Sequence, residues 1–356
     1  MTQQYTELLQ KLLMTLSREG GSDLHLSPDR APFIRVNNEL LPLQSLPKLT
    51  KKDTLELARA MVGDTRLQKL VDDRELDFAY EFSEAKLRLR GNAYIRGDGV
   101  SIALRAIEPV KDFASLKLPM ELLTEFTRKQ QGFFLVVGPV GVGKSTTMSA
   151  MLDVINQERK EHIVTIENPI EHIFEEKNSI IDQREVGTDT KSFHAALDAI
   201  FRQDADVIMI GEMRTPETIA TAVTAAETGH LVFSTLHTNN ASQTIDRIID
   251  SFPAEQQNQI RSQLASSLLG IFSQRLIPSL HGGLVPAYEF LRNTNATANL
   301  IREGRTHEIE NVIETGFENG MISLNRSLVN LVRNGDVSVE EAMRYSLNPK
   351  ALEQLL

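Results

Sequence analysis

The run Gly138-Pro-Val-Gly141-Val142-Gly143-Lys144-Ser145 has the residue types and spacing of a phosphate-binding loop, G-x-x-x-x-G-K-[ST]. Glycines let successive backbone N–H groups turn inward on a phosphate without Cβ clashes, and a helix that starts where the loop ends adds its partial positive charge. Gly138, Gly141, Val142, Gly143, Lys144, Ser145 and Thr146 therefore form the candidate nucleotide cradle, with Lys144 reaching the β- and γ-phosphates and Ser145 offering a hydroxyl to Mg²⁺. Phosphoryl transfer also needs a carboxylate near the metal, a group that orients or deprotonates water, and positive charge on the transferring oxygens. Glu212 closes the run Val207-Ile-Met-Ile210-Gly-Glu212 and is the candidate to hold Mg²⁺ through water or to polarise the nucleophile. Glu167 follows Ile163-Val-Thr-Ile166 and is the candidate for water activation, with a surface glutamate before Pro169 as the bland alternative. His230 and His237 bracket an apolar run whose alternation points them to opposite faces, a poor metal pair. Each reads as a hydrogen-bonded structural histidine unless it stands beside the terminal phosphate and senses it.

These groups need a scaffold. Phe133-Phe-Leu-Val-Val137 enters the loop as an uncharged strand, and Met148, Met151, Leu152 and Ile155 follow at helical spacing. Glu167 and Glu212 both fall at the carboxyl end of an apolar strand, the edge where open α/β sheets hold ligands, whereas Asp206 precedes its strand and reads as structural. From Glu121 onward strands and helices alternate, which predicts a mostly parallel sheet. A helix is expected over Ser192 to Arg202, and another after Thr215 as N-cap with Pro216 in its first turn. Past Pro253 the pattern predicts helix from Glu255 to Leu276, one strand over Val285 to Leu291, and helices from Ala296 to the end. Ser338-Val-Glu-Glu341 reads as a capping box there, and Asn348-Pro349 opens the last helix.

The amino-terminal part reads differently. An amphipathic helix over Thr6 to Leu16 stops at Gly20-Gly21, and strands are expected at Asp23–Leu26, Phe33–Val36 and Glu39–Leu41, the last two turning at Asn37-Asn38. Two short helices, Lys52 to Met61 and Thr65 to Val71, lead to strands from Asp77 to Ile107 that turn at Arg96-Gly-Asp-Gly99. Alternation places Arg88, Arg90 and Arg96 on one sheet face, with Arg105 across the turn. A solvated face accounts for any one of them. Several on a single hairpin of an acidic protein suggest an anion, and an arginine finger from Arg90, Arg96 or Arg105. Thr50-Lys-Lys-Asp53 imitates a guanine-reading element, but it precedes the P-loop instead of following it and reads as a helix start, so ATP is favoured. The expected division is an α+β domain over 1–108, a linker over 109–119 bracketed by Pro109 and Pro119, and an α/β domain with a helical carboxyl region over 120–356.

A formal charge of −10 disfavours wrapping a polyanion, so nucleic acid is not an expected partner. Cysteine is absent, which removes disulfides, thiol nucleophiles and cysteine-ligated zinc. No apolar run is long enough to span a bilayer and no signal-type core follows Met1, so a cytoplasmic protein without direct membrane insertion is expected.

Gly138 to Thr147, Val164-Thr-Ile-Glu-Asn-Pro-Ile-Glu171, Asp206 to Arg214 and Gly229 to Asn239 resemble the Walker A, Asp, Walker B and His boxes of the secretion-superfamily ATPases. Asn299-Leu-Ile-Arg-Glu303-Gly further resembles the helical motif of the type IV pilus retraction, or twitching-motility, group. The resemblance implies a PAS-like domain before a RecA-like motor domain, assembled as a homohexamer on the cytoplasmic face of the inner membrane against a pilus platform protein. It makes Glu167 the general base, Glu212 the Walker B glutamate, and hairpin arginines the fingers reaching a neighbouring site. Asn168 stands where the family usually has Asp, and Thr297 and Ala298 stand where its helical motif has Ile and Arg. Competing readings are a pilus assembly or type II secretion motor, a RecA-like nucleic-acid translocase, and an accessory subunit with little activity of its own. The assembly and secretion groups commonly carry a tetracysteine zinc module and an extra amino-terminal domain, which this chain has neither the cysteines nor the length to supply.

Overall fold

Leucine spacing in the first helix and two-residue alternation in the strands after it are realised as a helix-backed antiparallel sheet. The computed structural model describes residues 2–36, 39–44, 46–85, 87–107 and 109–356, and contacts divide the chain into Met1–Pro109 and Val110–Leu356. In the first unit the helix Thr2–Arg18 is followed by strands β1 (Asp23–Leu26), β2 (Phe33–Val36), β3 (Glu39–Pro42), β4 (Glu75–Phe82), β5 (Leu87–Arg96) and β6 (Gly99–Ile107), ordered β3-β2-β1-β6-β5-β4. The expected Asn37-Asn38 turn lies outside the described residues. Leu9, Leu12, Leu13 and Leu16 of the helix share a core with Leu24, Leu89, Ala93, Ile102 and Leu104 of the sheet, as alternation requires.

The two short helices expected after residue 50 fill Lys51–Asp73, parted by the non-helical Gly63 at φ 73° and ψ 171°. Thr50 caps it: Asp53 N–H donates to the Thr50 hydroxyl oxygen at 3.2 Å and Thr50 N–H donates to the Asp53 carboxylate at 2.7 Å. Thr50-Lys-Lys-Asp53 is thus a capping box, the helix start expected for it.

The second unit holds β7 (Gly132–Val137), β8 (His162–Glu167), β9 (Ile180–Glu185), β10 (Val207–Ile210), β11 (Leu231–Leu236), β12 (Leu268–Pro278) and β13 (Leu284–Arg292), ordered β13-β12-β7-β11-β10-β8-β9. All neighbours are parallel except β12 and β13. Helices cover both faces, so the inner strand β7 is apolar throughout: Phe133, Leu135 and Val137 enter one core, Phe134 and Val136 the other. Phe113 and Leu118 are buried in that second core, so the segment after Pro109 is built into this unit.

Two strands differ from the sequence expectation. The helix beginning at Ala254 ends at Ser267, and Leu268–Pro278 is the strand β12 instead of a continuation to Leu276. Its Leu-Leu-Gly-Ile-Phe start is apolar in every register, which periodicity cannot sort. Gly270 sits at a register shift where a Cβ would come within 2.9 Å of the Leu291 carbonyl. β9 was not anticipated because Ile180-Ile-Asp-Gln-Arg-Glu185 is a polar edge strand with no clean alternation. The helix caps at Thr215 and Asn348 form as expected, Ser338 forms the accepting half of its expected capping box, and Ser192, expected inside a helix, caps it instead; each side chain accepts a backbone N–H.

Candidate active site

The chain order of the motifs is scrambled by the sheet into a spatial row. β7, β11, β10 and β8 are consecutive neighbours, so the segments leaving their carboxyl ends stand side by side: the P-loop, His237, Glu212 and Glu167. They line one cleft of about 440 Å³, together with Asn168, Glu171 and Arg214.

The P-loop turns through left-handed backbone at Gly138 (φ 145°), Gly141 (80°) and Gly143 (83°), and Gly143 is the N-cap of the helix Lys144–Glu158. At Gly138 a side chain is also sterically forbidden, because a Cβ would lie 2.5 Å from the Gln274 carbonyl oxygen. Ser145 and Thr146 open onto the cleft from the first turn of the helix, whereas Val142 is buried with its carbonyl accepting from Gln274.

Lys144 is 7% exposed, and its ammonium donates to the Gly138 and Pro139 carbonyls at 2.9 and 2.8 Å. The remaining direction faces His237 Nδ1 at 3.2 Å. Burial pushes the Lys144 pKa down to about 8, against the favourable charges of Glu171 and Glu212. Burial and the Lys144 charge lower His237, so its imidazole is neutral at pH 7; Nδ1 accepts from Lys144, which leaves the proton on Nε2, 3.7 Å from Glu212. Glu212 also pairs with Arg214 at 2.8 Å.

Glu167 is 4% exposed, and burial raises its pKa against hydrogen bonds from the Thr165 hydroxyl (2.7 Å), the Gln183 amide (3.2 Å) and Glu171 N–H (3.4 Å). A buried, oriented carboxylate with heightened proton affinity is suited to take a proton from water. Next to the P-loop a second cleft of about 290 Å³ is walled by Leu116, Leu118, Leu276, Leu284 and Pro286, with Lys111 and Lys117 at its edge; it shares Gly143 and Thr146 with the first.

Not every candidate joins this cleft. His230 precedes β11, at the end of that strand away from the cleft, its Nδ1 3.0 Å from the Ala225 carbonyl and its ring edge-on to Phe201, a structural histidine. Arg90, Arg96 and Arg105 belong to the other unit. Arg90 and Arg105 face each other across β5 and β6, but Arg105 donates to Asp23 at 2.8 Å. Burial opposes ionisation of Asp23, yet hydrogen bonds from Ser22 and Arg105 outweigh it and lower the pKa, so Arg105 serves as a counterion there. Arg90 and Arg96 are exposed, with no carboxylate partner among the described residues. Sequence reasoning missed Gln183, Gln274 and Arg275. It quoted Glu171 without a role, yet Glu171 lines the cleft, and next to it His172 Nε2 lies 3.2 Å from the Thr146 hydroxyl.

A P-loop with a buried and a part-exposed carboxylate at neighbouring strand ends of a mostly parallel sheet is the arrangement of a P-loop nucleotide-binding domain. The family described as Type II/IV secretion system protein matches residues 2–283. The chain is 41% identical over 341 residues to the type IV pilus retractation ATPase PilT of Pseudomonas aeruginosa, covering 96% of this chain and 98% of that one. It is 40% identical over 323 residues to a twitching motility protein of Neisseria gonorrhoeae, covering 90% and 86%. A crystal structure of the pilus retraction motor PilT with bound ADP superposes with a TM-score of 0.90 at 42% identity, covering 97% of this chain and 98% of that one. The chain belongs to the type II/IV secretion ATPase family, in its retraction branch, and is an ATPase.

Nucleotide binding should take up a proton in alkaline buffer. With a free pKa of about 8, Lys144 is largely charged at pH 7 and half neutral at pH 8, while a bound triphosphate favours the charged form. Calorimetric titration with Mg-ATP in buffers of different ionisation enthalpy should give uptake rising from about 0.1 proton at pH 7 to about 0.5 at pH 8, with affinity weakening as pH rises through that range. Uptake that stays flat across it would place the lysine's pKa elsewhere.

Proposed function

We propose that this chain is the subunit of a homohexameric motor that hydrolyses ATP to retract a type IV pilus, acting from the cytoplasmic side on a membrane platform protein. The observation that carries the reading is the likeness, over nearly the whole of both chains, to proteins named for pilus retraction and twitching. Among the described residues no helix is long and apolar enough to cross a membrane, which fits a motor that reaches the pilus through a partner.

In this reading the phosphates of ATP lie on the P-loop amides and Lys144, and the apolar cleft beside Gly143 receives the flat base. Glu167 orients a water for in-line attack on the γ-phosphorus and accepts its proton, while the bond to the β-γ bridging oxygen breaks to release ADP. His237 lies between Lys144 and Glu212 and registers whether Lys144 is engaged by phosphate. The Ser145 hydroxyl and the Glu212 carboxylate are hard oxygen donors at the cleft, a set that fits magnesium bound largely through phosphates. Bound there, magnesium would offset the phosphate charge. Arg90 and Arg96 are the finger candidates for a neighbouring subunit's site, since Arg105 is held by Asp23.

Deleting the gene should leave surface pili present and abolish twitching, and a Lys144→Ala copy should fail to restore it. A strain that instead lacks pili would support the assembly reading, and ATPase activity stimulated by DNA with a steep salt dependence would support the translocase. Glu167→Gln and Glu212→Gln should each keep ATP binding and lower turnover about a hundredfold; a wild-type rate in either would return that residue to a structural role. For the arginines, rings mixed from Arg90→Ala/Arg96→Ala subunits and Lys144→Ala subunits should recover part of the activity that neither has alone, because some sites are built from two intact halves. Mixed rings without recovery would remove the trans role.

A further inference from the structure

The ATPase site described above rests against a buried polar seam that the chemistry does not use directly. Ser273, Gln274 and Arg275 lie in the middle of β12, beside β7, and all are buried. Polar groups withdrawn from water must be hydrogen-bonded, and these are, with partners on two loops. The Gln274 amide donates to the Val142 carbonyl at 2.8 Å and its oxygen accepts from the Thr147 hydroxyl at 2.7 Å, so one side chain spans the junction of P-loop and helix. Alternation sends its neighbours to the other face. There Ser273 donates to the Asn239 carbonyl at 3.0 Å, and Arg275 donates to the same carbonyl at 2.9 Å and to the Asn239 side-chain oxygen at 3.2 Å. Arg275 also donates to the Gln274 carbonyl at 2.9 Å, the atom that closes over Gly138. Glu289, opposite Ser273 on β13, accepts from Ala241 N–H at 2.8 Å, which anchors the far end of the same loop.

Asn239 follows His237 closely in the chain, and His237 meets Lys144. The contacts therefore close a ring that runs from Lys144 through His237, Asn239, Arg275 and Gln274 back to the P-loop. We propose that Gln274 and Arg275 are positioning residues that clamp the P-loop and the His237 loop to one strand, holding Lys144 in register with His237 so that phosphate arriving at the lysine is felt at His237 and Glu212. A clamp explains why a buried polar pair occupies β12, next to the wholly apolar strand β7.

The inference rests on the P-loop cleft being the ATPase site, and a double-mutant cycle on the full-length protein tests both levels. Gln274→Met keeps the volume and removes both side-chain bonds, and kcat/KM for ATP should fall about tenfold. If the ring acts as one unit, adding His237→Ala should lower kcat/KM less than about threefold beyond the worse single variant. Losses that multiply, or a Gln274→Met enzyme within about twofold of wild type, overturn the clamp. Should Gln274→Met fail to fold, Arg275→Lys, which retains one donor toward Asn239, decides by the same cycle. Lys144→Ala is measured alongside: if it hydrolyses ATP normally the site assignment itself falls, whereas if it is inactive while the losses multiply, only the clamp falls.

Discussion

The second unit depends on how it keeps one ammonium ion inside protein. Lys144 can be buried and still charged near neutrality only because two P-loop carbonyls and a neutral imidazole take its hydrogens and the Glu171 and Glu212 carboxylates supply opposite charge. Those carbonyls face inward only because the glycines adopt left-handed backbone, and the loop keeps that shape because Gln274 closes on Gly138 where any side chain would collide. The sheet order is the remaining requirement. Were β11 not inserted between β7 and β10, His237 would not reach the lysine.

Glu167 and Glu212 occupy contrasting environments although both follow apolar strands. Glu167 is almost wholly buried and its carboxylate is fixed by three donors, so its raised proton affinity is usable chemistry. Glu212 is partly exposed and shares its charge with Arg214 and His237. The roles proposed for them, a base for water and a ligand for a solvated cation, call for this difference.

Much of this was legible because the decisive signals are local. Strand, glycine loop and helix are contiguous in sequence, and a carboxylate directly after an apolar strand must fall at the sheet edge where the loop lies. The arginine face of β5 was legible for the same reason: a two-residue period needs no tertiary knowledge. What stayed hidden depends on contacts between distant segments. Gln274 and Arg275 lie far along the chain from the P-loop they hold, in a strand whose apolar start continues a helix without a breaker. His230 and His237 look equivalent in sequence, and only the direction of β11 decides that one ends at the cleft and the other at the strand's far end. Arg105 looked like Arg90 until Asp23 of β1 appeared beside it.

Asn168 gains its meaning from the charges around it. The cleft is lined by Glu167, Glu171 and Glu212 against Lys144 and Arg214, so carboxylates already match or exceed cations before a polyanionic nucleotide enters. An aspartate at 168 would add a further negative charge facing the same phosphates, and an asparagine keeps the size and polarity without it. The cleft still cannot neutralise a triphosphate from its own residues. Cations must come from outside it, and two sources are chemically available: a divalent ion travelling with the phosphates, and guanidinium groups of a second subunit. In the ring proposed above, a neighbour's guanidinium groups supply the charge that the divalent ion leaves unbalanced, and that dependence couples turnover at one site to the placement of the next subunit.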